Sequence, residues 1–194
     1  MNDGRDNPLP ATAKRNRRTF WLIALVTVAP VVASYTAYYL FPRDRQVNSG
    51  ELLATRPAPA VAGLAGDGKP FDLASLRGKW VLAAASPAPC DARCERALYA
   101  TRQARTIQGR EMDRVVRVWF VTGDAPPSPT VLEQHPGLVV AHVAPDALAA
   151  WPAGAERIYL IDPLGNLVLA YSRDPDIKGM ARDLTRLLKA SRIG

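Results

Sequence analysis

KWVLAAASPAPCDARCERALYATRQARTIQG, residues 79–109, is the stretch on which the fold turns. Trp80 to Ala85 is a short unbroken apolar run, suited to a strand buried on both faces. Residues Asp91 to Gln108 predict a helix. Ala97, Leu98, Thr101 and Ala104 recur near a period of 3.6, whereas Arg93, Arg96, Arg102 and Arg105 fall mainly elsewhere, as solvated residues should. Gly109 can end that helix. The chain has two cysteines, Cys90 and Cys94, and both lie where the strand gives way to the helix.

Downstream, Val115 to Thr122 (VVRVWFVT) is β-branched and aromatic, a second buried strand. Residues 125–137 read as a Pro-rich loop with room for a short helix, and Leu138 to Val143 as a third strand. Ala147 to Trp151 suits a helical turn. Ile158 to Ile161, the turn Asp162-Pro163-Leu164-Gly165-Asn166, and Leu167 to Tyr171 form a hairpin. Ile177, Met180, Ala181, Leu184, Leu187 and Leu188 share one face of a last helix, Ile177 to Ala190. Upstream, Gly66, Gly68 and Pro70 mark turns, and Phe71, Leu73 and Leu76 punctuate a short one. Strands separated by helices predict an α/β domain, a mixed sheet flanked by helices, over residues 59–194.

Before this domain the chain changes character. No charged residue stands between Arg18 and Arg43, and Phe20 to Phe41 reads FWLIALVTVAPVVASYTAYYLF. At about 1.5 Å per residue those 22 residues cover roughly 33 Å, enough for a hydrocarbon core of about 30 Å. Phe20 and Trp21 at one end and Tyr35, Tyr38, Tyr39 and Phe41 at the other form an interfacial belt. Pro30 lies mid-span, where membrane helices tolerate it. A cleaved signal peptide would have an apolar core of about 7–15 residues, shorter than this run, and a far end less aromatic. The reading is therefore an uncleaved transmembrane helix over residues 19–41, with residues 42–58 as a stalk.

Formal net charge is +7, and its placement sets topology. Residues 1–18 carry Arg5, Lys14, Arg15, Arg17 and Arg18 against Asp3 and Asp6, whereas Arg43, Asp44 and Arg45 follow the span. The positive-inside rule places residues 1–18 in the cytoplasm as a basic tail and the domain across a bacterial inner membrane, in the periplasm. Nucleic acid is not the expected partner, because the densest basic cluster abuts an apolar run rather than mixing with aromatics on one surface.

Cys90 and Cys94 fall one helical turn apart, so their sulfurs share a face and their Cα atoms stand about 6 Å apart, within disulfide range. The positive end of the helix dipole and its unpaired N–H groups stabilise a thiolate there. Three uses follow: reversible thiol–disulfide exchange as an oxidoreductase, Cu(I) held by two soft thiolates, or a bridge that forms once after export and stays inert. A five-residue loop constrains little chain, which weighs against the inert bridge. His135 precedes Pro136 in a loop and His142 lies in the apparent strand LVVAHV; both read as ordinary surface or edge histidines. Asp162 reads as a turn former, and Asp124 as a polar neighbour of the cysteines.

These residues resemble the Sco family, thioredoxin-fold proteins that help build the copper centre of cytochrome c oxidase. The matching pieces are Phe71-Asp72-Leu73-Ala74-Ser75-Leu76-Arg77-Gly78-Lys79, Cys90-Asp91-Ala92-Arg93-Cys94, the strand Val118 to Thr122, and Tyr159-Leu160-Ile161-Asp162-Pro163-Leu164-Gly165. The resemblance implies a thioredoxin-like domain, anchored by its N-terminal helix, that acts in oxidase assembly. It also implies copper at Cys90 and Cys94 and an oxidase subunit or another assembly factor as partner. Two departures stand out. The family's prolines after each cysteine are replaced by Asp91 and Glu95. Its third copper ligand, a histidine five residues before the hairpin tyrosine, is replaced by Gly154. Copper would then have two protein sulfurs and an open third position. The departure leaves open a scaffold that docks an oxidase subunit and a general thiol oxidoreductase or peroxidase.

Overall fold

A computed structural model describes residues 12–40, 48–152, 154 and 157–191, with side chains described from residue 17 to 36 in the first helix. The chain divides into two compact units, Met1–Gln46 and Val47–Gly194.

In the first unit, helix α1 runs Thr12–Leu40, starting upstream of the expected span. Its segment Arg17–Thr36 has a mean hydropathy of 1.7, and among the described residues it is the one helix long and apolar enough to cross a membrane. Phe20, Trp21, Leu22, Ile23, Leu25, Val26, Val28, Val31 and Val32 are all more than half exposed, so the helix is apolar around its whole circumference. Such a surface is stable in lipid rather than in water. Thr27 places its hydroxyl on the carbonyls of Ile23 and Ala24 at 3.0 and 3.1 Å, which satisfies its polarity within the helix. Residues 1–11 of the expected basic tail, and Arg43, Asp44 and Arg45, lie outside the described residues.

The second unit is an eight-stranded mixed sheet. Its strands are β1 (Glu51–Pro57), β2 (Ala62–Ala65), β3 (Pro70–Asp72), β4 (Trp80–Pro87), β5 (Val115–Thr122), β6 (Leu138–Val143), β7 (Arg157–Ile161) and β8 (Asn166–Ser172). Their spatial order is β1-β8-β7-β4-β5-β6-β2-β3. The central pairs β4–β5 and β5–β6 are parallel, and every other pair is antiparallel. Helix α2 (Ala92–Thr106) is the crossover between β4 and β5, the short α3 (Pro129–Gln134) precedes β6, and α4 (Ile177–Ala190) ends the fold.

Period-two alternation along β4 sorts the core. Trp80, Leu82 and Ala84 face one side with Trp119, Ile158, Leu160 and the apolar stripe Met180, Ala181, Leu184 and Leu188 of α4. Val81 and Ala83 face the other with Phe71, Phe120, Trp151 and Tyr159. On that second side the rings of Phe71, Phe120, Trp151 and Tyr159 meet edge to face in a chain, at centroid distances of 6.2, 5.9 and 4.9 Å.

Two expectations are corrected here. Residues 51–57, read as part of a stalk, form β1 and pair with β8. They escaped because an edge strand with both faces largely in solvent shows no hydrophobic period. The hairpin β2–β3 was also unforeseen. Gly63 in β2 lies so close to β6 that a Cβ would fall 2.0 Å from the His142 carbonyl oxygen, so a residue with no side chain is needed there.

Candidate functional site

β4 delivers the chain to the C-terminal end of the parallel strands. Just before the turn, Ser86 accepts a hydrogen bond from the buried Trp119 Nε1 at 2.8 Å, which ties the end of β4 to β5. Ala88 and Cys90 pack on the rim of the core, and Asp91 is the N-cap of α2. Cys90 and Cys94 are joined in a disulfide with their Cα atoms 5.3 Å apart, close to the expected separation. The two sulfurs are not equivalent. Cys94 is 4% exposed and packs within the core beside Ala97 and Leu98, whereas Cys90 is half-buried and meets solvent.

The helix terminus differs from the expectation of unpaired donors. Asp91 Oδ1 accepts from the backbone N–H of Arg93 at 3.1 Å and of Cys94 at 2.8 Å. The bond from Cys94 N–H, with that from Arg93 N–H and the charges of Arg173 and Arg93, holds the Asp91 carboxyl below the ordinary carboxylate range. A carboxylate beside Cys90 thus takes donors that a thiolate would otherwise use. The N-cap preference of aspartate explains it.

Opposing this charge, Arg93, Arg96, Arg173 and Asp174 line a shallow cleft of roughly 210 Å³. Arg96 Nε stands 3.9 Å from Asp174 Oδ2. Arg93 and Arg96 were legible from the motif. Arg173 was not, because it arrives from the loop after β8, about 80 residues later, and only the closed sheet brings it to Asp91.

The other expected residues scatter. His142 is half-buried on β6, opposite Val121 of β5 and Leu64 of β2, so two strand spacings, roughly 10 Å, separate it from β4. Asp124 is exposed in the loop after β5, at the sheet end where the cysteines lie. Asp162 is the turn former it was read as: it accepts from the N–H groups of Leu164 and Asn166 at 2.9 and 2.8 Å and from Asn166 Nδ2 at 3.0 Å. His135 is not a surface histidine. It is 5% exposed at the end of α3, and burial, with the charges of Arg102 and Arg117, lowers its pKa to about 4. A lone histidine before a proline carries no signal of such burial.

Gly154 precedes β7. Because β7 runs antiparallel to β4, with Tyr159 opposite Ala83, this glycine lies toward the sheet end that carries Cys90. It has φ +56°, and its carbonyl accepts from Tyr159 Oη at 3.0 Å. Among the described residues, no group of three or more His, Cys, Asp or Glu side chains is placed to hold a metal. The donors that suit a soft ion are the two sulfurs, once reduced.

A mixed sheet covered by helices, with a disulfide at the start of the helix that follows a central parallel strand, defines a thioredoxin-like domain. The family model for the transmembrane-like, thioredoxin-like, C-terminal domain matches residues 80–191, more than half of the chain, and the chain belongs to that family. Among solved structures the fold is similar to yeast Sco1, at 18% identity and a TM-score of 0.59, covering 70% of this chain and 96% of that one. It is similar to apo Sco1 from Thermus thermophilus, at 20% identity and a TM-score of 0.57, over 76% of this chain and 98% of that one. It is also similar to the thioredoxin domain of a thiol-disulfide oxidoreductase from Bacteroides vulgatus, at 17% identity and a TM-score of 0.52, over 70% and 99%. The chain is thus Sco-like and thioredoxin-like in fold. A search of curated protein sequences finds no match.

Proposed function

We propose that this is a membrane-anchored thiol–disulfide exchange protein of Sco-like architecture, acting at the periplasmic face of a bacterial inner membrane in the assembly of a respiratory oxidase. The observation that carries the exchange chemistry is the asymmetry of the two sulfurs, Cys90 half-exposed ahead of the helix and Cys94 packed behind it. In the reduced protein the Cys90 thiolate attacks a partner disulfide. One Cys90–partner S–S bond forms, the partner S–S bond breaks, and one partner sulfur leaves as a thiolate. The Cys94 thiolate then attacks Cys90 Sγ, the mixed disulfide breaks, and the second partner thiolate leaves. The chain ends as the observed Cys90–Cys94 disulfide and the partner as a dithiol. The reverse sequence oxidises a partner. Helix α1 serves as the anchor, and the basic residues Arg17 and Arg18 at its start support a cytoplasmic N-terminus.

The test is a trapping experiment in membranes. Cys94→Ser should accumulate a mixed disulfide between Cys90 and the partner, with an oxidase subunit or assembly factor as the expected catch, whereas Cys90→Ser should trap nothing. Full function in cells of both variants would defeat the redox reading and favour docking alone.

A second reading has its own support. Two sulfurs one turn apart suit Cu(I), and yeast Sco1 has been solved with copper bound. In the reduced form Cys90 and Cys94 would hold the ion, with Gly154 in place of a third side-chain ligand. Anaerobic Cu(I) titration of the reduced protein against a competing chelator separates the readings. Tight stoichiometric binding lost in both cysteine variants would favour copper handling.

A further inference from the structure

The start of α2 carries its positive charge on one flank. Arg93 and Arg96 are exposed and three residues apart, so they project as neighbours from the helix surface. At about 100° per residue, the exposed Glu95 stands roughly 100° and 160° round the axis from them, on the other flank. Helix α4 packs beside α2, and the loop that feeds it from β8 brings a third guanidinium, that of the half-buried Arg173, to the same place. These three arginines and Asp174 line the open cleft of roughly 210 Å³. The pair of Arg96 Nε with Asp174 Oδ2, at 3.9 Å, has side chains 53% and 79% exposed, so water screens it and a competing carboxylate displaces it at little cost. Asp91 at the rim is engaged with the N–H groups of Arg93 and Cys94. Counting it, three guanidinium groups face two carboxylates.

This cleft adjoins the sulfur that meets solvent. Arg93 lies inside the ring closed by the Cys90–Cys94 disulfide, and Asp91, next to Cys90, feels the charges of Arg173 and Arg93. On the exchange reading proposed above, on which this inference rests, a partner chain lies across this surface whenever its disulfide reaches Cys90. We propose that the cleft selects that partner by a carboxylate: an aspartate or glutamate within about three residues of the attacked cysteine seats among Arg93, Arg96 and Arg173. The reach follows from geometry, since the arginines stand within about one or two helical turns of Cys90, roughly 5–10 Å, and an extended chain covers about 3.3 Å per residue. Arginine suits the role because its planar fork meets a carboxylate through two parallel hydrogen bonds. A free small anion gains little in so open a cleft. A carboxylate tethered through the mixed disulfide is held at its mouth, and the same weak contact then acts at a high effective concentration.

The test uses the reduced full chain in non-ionic detergent and three synthetic peptides. All hold the same internal disulfide and differ only two residues from one cysteine, where they carry glutamate, glutamine or lysine. Each exchange oxidises Cys90 and Cys94 to their disulfide and reduces the peptide to a dithiol, and acid quenching, alkylation and mass measurement give the rate. At low ionic strength the glutamate peptide should react roughly fivefold faster than the glutamine peptide, with the lysine peptide slowest, and the advantage should fade by about 1 M salt. Arg96→Gln should bring the glutamate-to-glutamine ratio within about twofold, and Arg96→Glu should favour the lysine peptide. A weaker field at Cys90 alone slows all three peptides together and leaves the ratio where it was. Equal rates for the three peptides, or a ratio unmoved in Arg96→Gln, would overturn the inference and leave exchange standing. No exchange with any of them would overturn the exchange reading and this inference with it. Where Arg96→Gln does not fold, the salt dependence of the native chain decides.

Discussion

Asp183 on α4 offers the sharpest test of how the domain is closed. The residue is 2% exposed, and its Oδ2 accepts from Ser49 N–H at 2.7 Å, Gly50 N–H at 3.0 Å and Tyr171 Oη at 3.3 Å. The approach is tight: a Cβ on Gly50 would lie 2.6 Å from the Tyr171 ring, and one on Gly179 would lie 2.1 Å from Ser49 Oγ. Asp183→Ala leaves two buried donors, Gly50 N–H and Tyr171 O–H, without a partner, whereas Ser49 N–H can turn to water. At about 1–3 kcal/mol for each stranded buried donor, the loss is about 2–6 kcal/mol. Better helix propensity of alanine returns roughly 0.6 kcal/mol, and removal of a buried carboxylate returns more, so a net loss of about 2–4 kcal/mol is expected. Asp183→Asn keeps an acceptor and should lose less. The assay is urea unfolding of the full chain in detergent, followed by tryptophan fluorescence, with hydrogen exchange at the Gly50 amide as the local readout. A loss below about 1 kcal/mol in Asp183→Ala, with Gly50 still protected, would refute the reasoning.

Three further outcomes are expected. Asp91→Ala removes a carboxylate from beside Cys90 and frees the N–H groups of Arg93 and Cys94, so the reduced thiolate is better stabilised. The reduction potential in glutathione buffers should rise, with a shift on the order of 30 mV corresponding to tenfold in the exchange constant, and a fall would contradict the cap's role. Gly154→His, where a Cβ meets no atom within 4 Å but a φ of +56° strains any side chain, should supply a third ligand at some cost in stability and increase Cu(II) affinity at least tenfold, read from sulfur-to-copper absorption; unchanged affinity in a folded variant would separate this position from the sulfurs. His135 is neutral when buried, with its pKa lowered to about 4 against about 6.5 in the unfolded chain, so the unfolded chain takes the proton first as pH falls. Stability should be full above about pH 6.5 and fall toward pH 4, and His135→Leu should flatten that slope.

The central elements were legible because they bury themselves. WVLAAA is a continuous apolar run, VVRVWFVT and LVVAHV are dominated by β-branched and other apolar residues around Arg117 and His142, and the three became β4, β5 and β6. The last helix matched its expected limits, since its apolar stripe begins just after the N-cap Asp176 and stops at Ser191. The rim was not legible: β1 is nearly all exposed, and β2 and β3 have four and three residues, too few to establish a period. At the site, the cysteine pair could be read from spacing alone. Arg173 could not, because its arrival depends on the order of strands across the sheet. The Asp91 cap had a local signal, an aspartate directly before the helix, which fills the N–H groups that a bare helix start would leave free. Arg117 stood in a β-branched run as an ordinary basic residue, and only the covering helix makes it a buried charge.

The unequal depth of the two sulfurs also determines how the domain withstands oxidative damage. On the proposed exchange chemistry, peroxide reaching the reduced protein would meet Cys90 first and convert it to a sulfenic acid. Cys94, shielded from the oxidant yet one turn away, can condense with that sulfenic acid and expel water before irreversible over-oxidation sets in.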